Sequence, residues 1–335
     1  MPLVWALTGS RVGDNQQVLH FCAALGFEVR EMPLTYGLLR ILPNWLLGAT
    51  KMTTVKAARA QLQPPWPDLV VGAGQRSVPI ARWIHKQSGG HTKIVFLGRP
   101  RAPLGWFDLV VTTPQYGLPR LDNVVTVGLP YVQHQLVPVG AGVWLARWRS
   151  LPRPLTAVLI GGSSAPYRLN ARSIRRVVAL AEGRPDGGTV IFATSPRTPA
   201  SAARLLAETA QGVGEICPWL RGDDNPYPAL LSEADRFIVT EDSVTMIAEA
   251  VATGKPVIVA PVARRPSISW RARRGLGRLL ARTGILSPPR NVRRLVKMLS
   301  ASGQVSLAGD KGAAVADAEL ATWSDALTRT RRLVV

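Results

Sequence analysis

Acidic residues are scarce in this chain. Only 21 Asp and Glu stand against 41 Lys and Arg, for a formal net charge of +20 at pH 7. Such an imbalance favours an anionic partner: phosphate, nucleic acid or an acidic membrane surface. Cysteine is almost absent too. Cys22 and Cys217 fall in different halves without metal-ligand spacing, which argues against a disulfide framework or a zinc site and suits a reducing compartment. No apolar run approaches the ~20 residues that span a bilayer. The longest patch outside strand-like runs, Leu38 to Leu47, is broken by Arg40, Pro43 and Asn44. The opening residues, Met1-Pro2-Leu3-Val4-Trp5-Ala6-Leu7-Thr8-Gly9, lack a basic lead and read as a first strand rather than a signal peptide. The expected location is the cytoplasm.

What is present is 335 residues with 47% hydrophobic content, enough for two domains of ordinary size. Strand-like runs alternate with helical ones, which predicts an α/β fold with parallel sheets. The first set is Val4–Thr8, Glu28–Leu34, Leu69–Gly72, Ile94–Leu97, Leu109–Thr113 and Val124–Val127. A Pro- and Gly-rich connection follows, with a short helix at Val143–Arg149. The alternation restarts at Ala157–Gly161, Val190–Thr194, Gly214–Cys217, Phe237–Thr240 and Val257–Ala260. The expected organisation is a Rossmann-like domain over 1–150, a second over 151–312, and a final helical segment over 313–335.

The most informative run is Thr240-Glu241-Asp242-Ser243-Val244-Thr245-Met246-Ile247-Ala248-Glu249-Ala250, with Thr253-Gly254-Lys255-Pro256 after it. It reads as strand, polar turn, helix and corner, so a helix N-terminus and two carboxylates sit at the carboxyl end of a parallel strand, where open α/β sheets bind ligands. Glu249, two turns in, is suited to accepting from sugar hydroxyls. The plainer reading makes Thr240 or Asp242 a helix cap. Gly161-Gly162-Ser163-Ser164 follows another strand, and paired glycines and serines there leave N–H and hydroxyl donors free for a diphosphate, with Arg168 and Arg197 adding charge. Tyr227, in Asn225-Pro226-Tyr227-Pro228, is placed either to pack on a nucleobase or simply to fix a loop. In the first half, the turn Gly9-Ser10-Arg11-Val12-Gly13-Asp14-Asn15-Gln16-Gln17 departs from G-x-G-x-x-G and so is not the dinucleotide fingerprint that an epimerase would need. Gly9, Gly13 and Gln17 are candidate acceptor contacts, as are Gly74 and Arg76 in the turn after the third strand. Asp14 is the candidate general base, against the plainer reading that it caps a helix beginning at Asn15.

The Thr240–Ala250 run, Thr253-Gly254-Lys255-Pro256-Val257, Asn225-Pro226-Tyr227, Gly161-Gly162-Ser163 and the N-terminal turn together resemble the mitochondrial-fission "elongated mitochondria" family, whose bacterial members look like GT-B glycosyltransferases. The resemblance implies two Rossmann-like domains facing across a cleft, with donor nucleotide in the second, acceptor in the first, and a C-terminal helix packing back on the first. It also implies no metal and no cofactor, the nucleotide sugar being the substrate. Glu249 matches the position that commonly holds donor ribose, and Glu241 lies eight residues before it, similar to a paired-glutamate pattern. Plant members act at the mitochondrial surface, so a non-catalytic scaffold is the alternative function.

The stretch from Ala263 to Ser300 holds eleven Arg or Lys and no Asp or Glu. Its basic region, Arg264–Lys297, with Trp270 and leucines interleaved, suits an anionic membrane surface, against the plainer reading of a solvated helix. Leu38–Leu47, with Trp45, is a second candidate contact. Nucleic acid is not expected, because no recognition module accompanies the charge. The expected activity is transfer of a sugar from a nucleotide donor to an envelope glycan or lipid-linked acceptor at the cytoplasmic membrane face.

Overall fold

The computed structural model describes residues 1–132, 142–164, 166–183, 186–222, 224–265, 290–309 and 320–335. The described chain divides into two α/β units. The first holds residues 1–131 with 290–291 and 320–335, and the second holds most of what lies between.

In the first unit the elements run β1 (Leu3–Thr8), α1 (Val12–Leu25), β2 (Glu28–Pro33), α2 (Asn44–Leu47), α3 (Lys56–Ala60), β3 (Leu69–Ala73), α4 (Val78–Gln87), β4 (Lys93–Leu97), β5 (Leu109–Thr112) and β6 (Val124–Thr126). All pair in parallel, in the order β2-β1-β3-β4-β5-β6. The inner strands are continuous Val, Ile and Leu runs because both faces are covered. One face packs Trp5, Val70, Phe96 and Val110, and the other packs Val4, Phe21, Val71 and Val95. The edge strand β2 has only Met32 buried, as its Glu- and Arg-containing sequence requires.

The second unit contains α5 (Gly142–Arg149), β7 (Leu155–Leu159), β8 (Tyr167–Arg168), α6 (Ala171–Glu182), β9 (Thr189–Ala193), α7 (Ala200–Thr209), β10 (Glu215–Cys217), α8 (Tyr227–Glu233), β11 (Arg236–Thr240), α9 (Val244–Ala252), β12 (Val257–Ala260), β13 (Ala263–Arg264), α10 (Val292–Ala301) and β14 (Ser306–Leu307). Its main sheet runs β10-β9-β7-β11-β12-β14, while β8 and β13 form a separate antiparallel pair. The chain closes with α11 (Trp323–Arg331), started by a capping box between Thr322 and Asp325. This helix belongs to the first unit. Trp323 Nε1 donates to Leu129 O at 2.9 Å, its ring stands edge-on to Tyr131 at 5.0 Å, and Arg331 Nε caps the end of α1 by donating to Leu25 O at 3.1 Å.

Most expected strands lie within two residues of the observed ones. The two-residue strands were not expected, because two residues carry no periodicity to read. The start of the expected last helix and most of the basic segment, 266–289, lie outside the described residues.

Candidate functional site

Strand order decides which turns meet. Numbered from its own first strand, the second sheet runs 3-2-1-4-5-6, so its order reverses between β7 and β11. A sheet of this kind opens a crevice at the carboxyl ends of the two strands flanking the reversal. The turns leaving those strands are Gly161–Ser164 and Thr240–Ser243.

They are knitted together. Gly161 N–H donates to Thr240 Oγ1 at 2.8 Å, and Gly162 N–H donates to Asp242 Oδ2 at 2.7 Å. Thr198 Oγ1 donates to Gly161 O at 2.6 Å, which ties in the loop after β9. From that loop Arg197 Nη2 donates to Ser243 Oγ at 3.3 Å. The expectation that both glycine N–H groups stay free for a ligand is therefore corrected, since buried side chains of the neighbouring turn accept from them. Glycine is required there for closeness instead. A Cβ on Gly162 would collide with the Arg197 carbonyl, and one on Gly161 with the Asp242 carboxylate. At the start of α9, Ser243 is the cap residue and makes no side-chain cap bond. Neither Thr240 nor Asp242 caps that helix, because both side chains turn toward the glycines. Ser163 Oγ accepts from Leu169 N–H at 3.2 Å, while the buried Ser164 Oγ has no hydrogen-bond partner among the described residues. Arg168 is exposed on β8, opposite Ala263.

Two carboxylates are enclosed in this turn. Glu241 is 1% exposed; its Oε2 lies 3.4 Å from Val262 N–H and its Oε1 has no partner among the described residues. Burial raises its pKa, opposed by that N–H and by Arg293 and Arg264. Burial raises Asp242 as well, against the hydrogen bonds it accepts and the charge of Arg197. Further along α9, Glu249 Oε2 accepts from Tyr227 Oη at 2.5 Å. Burial pushes Glu249 up to about 7, and burial followed by the Glu249 charge raises Tyr227 well above its ordinary value.

The first sheet follows the same logic in the order 2-1-3-4-5-6, which reverses between β1 and β3. The turns that meet are Gly9–Arg11 and Gly74–Ser77. A Cβ on Gly74, whose φ is +72°, would lie 3.1 Å from Asp14 Oδ2. Arg11 Nη1 is 3.7 Å from the same oxygen. Helix α1 begins at Val12, so Asp14 belongs to its first turn and does not precede it. Asn15 performs the bracing role, accepting from Gly9 N–H and donating to Gly9 O, each at 2.7 Å. Sequence reasoning missed Tyr36. Its ring would lie 3.2 Å from a Cβ on Gly9, and burial raises its pKa with Arg76 and Asp14 acting in opposite directions. Gly9, Asp14 and Arg76 thus act on Tyr36 and Gly74 lies against Asp14, while Gly13 and Gln17 are half-buried on α1. Among the described residues no three His, Cys, Asp or Glu side chains are grouped to hold a metal ion.

Two successive parallel α/β units, each with ligand-type turns at its reversal point, define a GT-B-like protein of Rossmann-like units. A UGT transferase from Siraitia grosvenorii, solved in complex with UDP, superposes with a TM-score of 0.51 at 12% identity, covering 99% of this chain and 90% of that one. The sequence profile of the mitochondrial fission ELM1 family matches residues 12–309, and the chain belongs to that family. Arabidopsis thaliana mitochondrial fission protein ELM1 is 28% identical over 239 residues, 64% of this chain but 56% of its own length. The uncharacterized protein RP120 of Rickettsia prowazekii (strain Madrid E) is 22% identical over 297 residues, covering 76% of this chain and 82% of its own.

Proposed function

We propose that the protein is a glycosyltransferase whose second unit binds a nucleoside-diphosphate sugar and whose first unit takes the acceptor, an envelope glycan or lipid-linked glycan at the cytoplasmic membrane face. The observation that carries this reading is the junction of the β7 and β11 turns, with the uncapped start of α9, Arg197 on Ser243 and Glu249 farther along the same helix. Helix amides and a guanidinium suit a diphosphate, and a carboxylate suits ribose hydroxyls. A fold relative solved with UDP supports that ligand class.

In the reaction the acceptor hydroxyl oxygen forms a bond to the anomeric carbon as the bond from that carbon to the diphosphate oxygen breaks. The electron pair leaves on the diphosphate, which the α9 start, Ser164 and Arg197 stabilise. The hydroxyl proton passes to Asp14, with Tyr36 and Arg76 shaping the acceptor side. Thermal-shift titration with UDP, GDP, CMP and their sugars tests the reading. A nucleoside diphosphate is expected to raise Tm, with the effect lost in Glu249→Ala. Asp14→Asn is expected to abolish transfer while leaving nucleotide binding intact. No response across the panel would sink the proposal.

A second reading, a non-catalytic scaffold, is favoured by one observation. Gly161, Gly162 and Glu249, all expected to meet donor, are engaged by Thr240, Asp242 and Tyr227 of the same unit. Nucleotide binding without turnover of any sugar donor would select it.

A further inference from the structure

The first unit exposes an apolar loop that the site does not use. Between β2 and α3 the chain leaves the sheet and returns to it through a narrow neck. Gly37 N–H donates to Thr53 O at 2.8 Å, Val55 N–H donates to Thr35 O at 2.9 Å, and Tyr36 bridges Thr54 in antiparallel fashion. The loop beyond the neck is pinned from within. Asn44 is buried, and its Nδ2 donates to Gln75 O at 2.8 Å and to Pro100 O at 2.9 Å, while Thr50 N–H donates to Pro79 O at 3.1 Å. The pins hold the polar side inward and the apolar side outward. Leu38 is 89% exposed, Ile41 83%, Leu46 59%, Trp45 54% and Met52 52%. Five large apolar side chains so exposed within one short loop form a surface that water does not favour.

Charge identifies what covers it. From Met32 to Pro67 there is no Asp or Glu, while Arg40, Lys51, Lys56 and Arg59 all lie in that stretch. Arg40 and Lys56 are exposed, and Arg40 Nη1 is held against Tyr36 O at 3.1 Å. Leucine, isoleucine and tryptophan projecting beside cations with no carboxylate among them match the interface of an anionic bilayer, where apolar groups enter the acyl boundary and cations meet the headgroups. A Trp ring suits that depth because one edge is apolar and its N–H is polar.

We infer that the 38–52 loop is a membrane-insertion loop selective for anionic lipid. It is a different stretch of sequence from the Arg264–Lys297 region, and it does not depend on the transferase reading. One consequence does rest on that reading: Tyr36, in the neck, packs on Gly9 beside Asp14, so insertion would hold the acceptor-side turns at headgroup level, as a lipid-linked acceptor requires.

Flotation of the full chain with phosphatidylcholine vesicles, with and without phosphatidylglycerol, tests the inference. Binding is expected only with phosphatidylglycerol, and I41S/W45S/L46S is expected to weaken it by about tenfold or more. These side chains are exposed, so the thermal melt and any nucleotide response should be unchanged, which separates this test from that of the transferase reading. Trp45→Phe, too mild to unfold the loop, should remove tryptophan quenching by lipids brominated along the acyl chain. The inference is overturned if the parent ignores anionic vesicles, if the triple variant binds as the parent does, or if quenching survives in Trp45→Phe. It is equally overturned if the triple substitution converts an oligomer to a monomer with lipid binding untouched, because the patch is then a protein interface.

Discussion

Tyr227 and Glu249, brought together from the first turn of α8 and the middle of α9, share a hydrogen bond of 2.5 Å with the tyrosine hydroxyl donating to Oε2. The carboxylate expected to meet ribose thus has an internal partner. Burial raises the pKa of both groups, that of Glu249 to about 7, so the tyrosine keeps its proton while the carboxyl titrates near neutrality.

The pH dependence of stability follows. The Glu249 pKa stands at about 7 against an ordinary 4.5, so the folded state holds this proton more tightly than the unfolded state. The associated stabilisation is complete below about 4.5 and is lost as pH rises through about 7. Glu249→Gln cannot titrate, so the stability of the parent relative to this variant should fall by up to roughly 3 kcal/mol across that window. Denaturant melts of the two proteins at several pH values check this, and parallel curves would refute it.

Removing the tyrosine hydroxyl separates competition from positioning. If Tyr227 occupies the place a ribose hydroxyl takes, Tyr227→Phe frees the carboxylate and tightens UDP binding several-fold, on the order of 1 kcal/mol. Titration calorimetry reads the change. Weaker binding, similar to that of Glu249→Ala, would mean instead that Tyr227 holds Glu249 in place for the ligand.

Gly162→Ala should be costly although the change is a single methyl group. The new Cβ meets backbone at Arg197, which a rotamer change cannot move aside, so a loss of about 1–3 kcal/mol and a clear drop in Tm are expected. The Arg197 guanidinium would shift with its backbone, weakening any nucleotide response in the same preparation. An unchanged melt would mean that the Arg197 loop yields freely.

Much of the fold was legible because buried parallel strands are written as uninterrupted apolar runs: Leu69 to Val71, Val95 to Leu97 and Val257 to Ala260 need no partner to be recognised. The polar turns after them were legible for the same reason, as breaks between apolar runs. Their internal bonding was not. The Gly161–Thr240 contact joins residues 79 apart, and nothing in either segment announces the other. Tyr36 escaped notice because it lies in an irregular segment and reaches Gly9 only once β2 has paired beside β1.

The sequence by itself determined two α/β units, an excess of basic over acidic residues and the places where polar turns follow strands, since hydrophobic period and charge are local quantities. Tertiary structure alone decided which turns stand side by side, because strand order is set by packing across the whole sheet. It also decided the raised pKa of Glu249 and the use of the glycine N–H groups, both of which depend on burial and on partners distant in the chain.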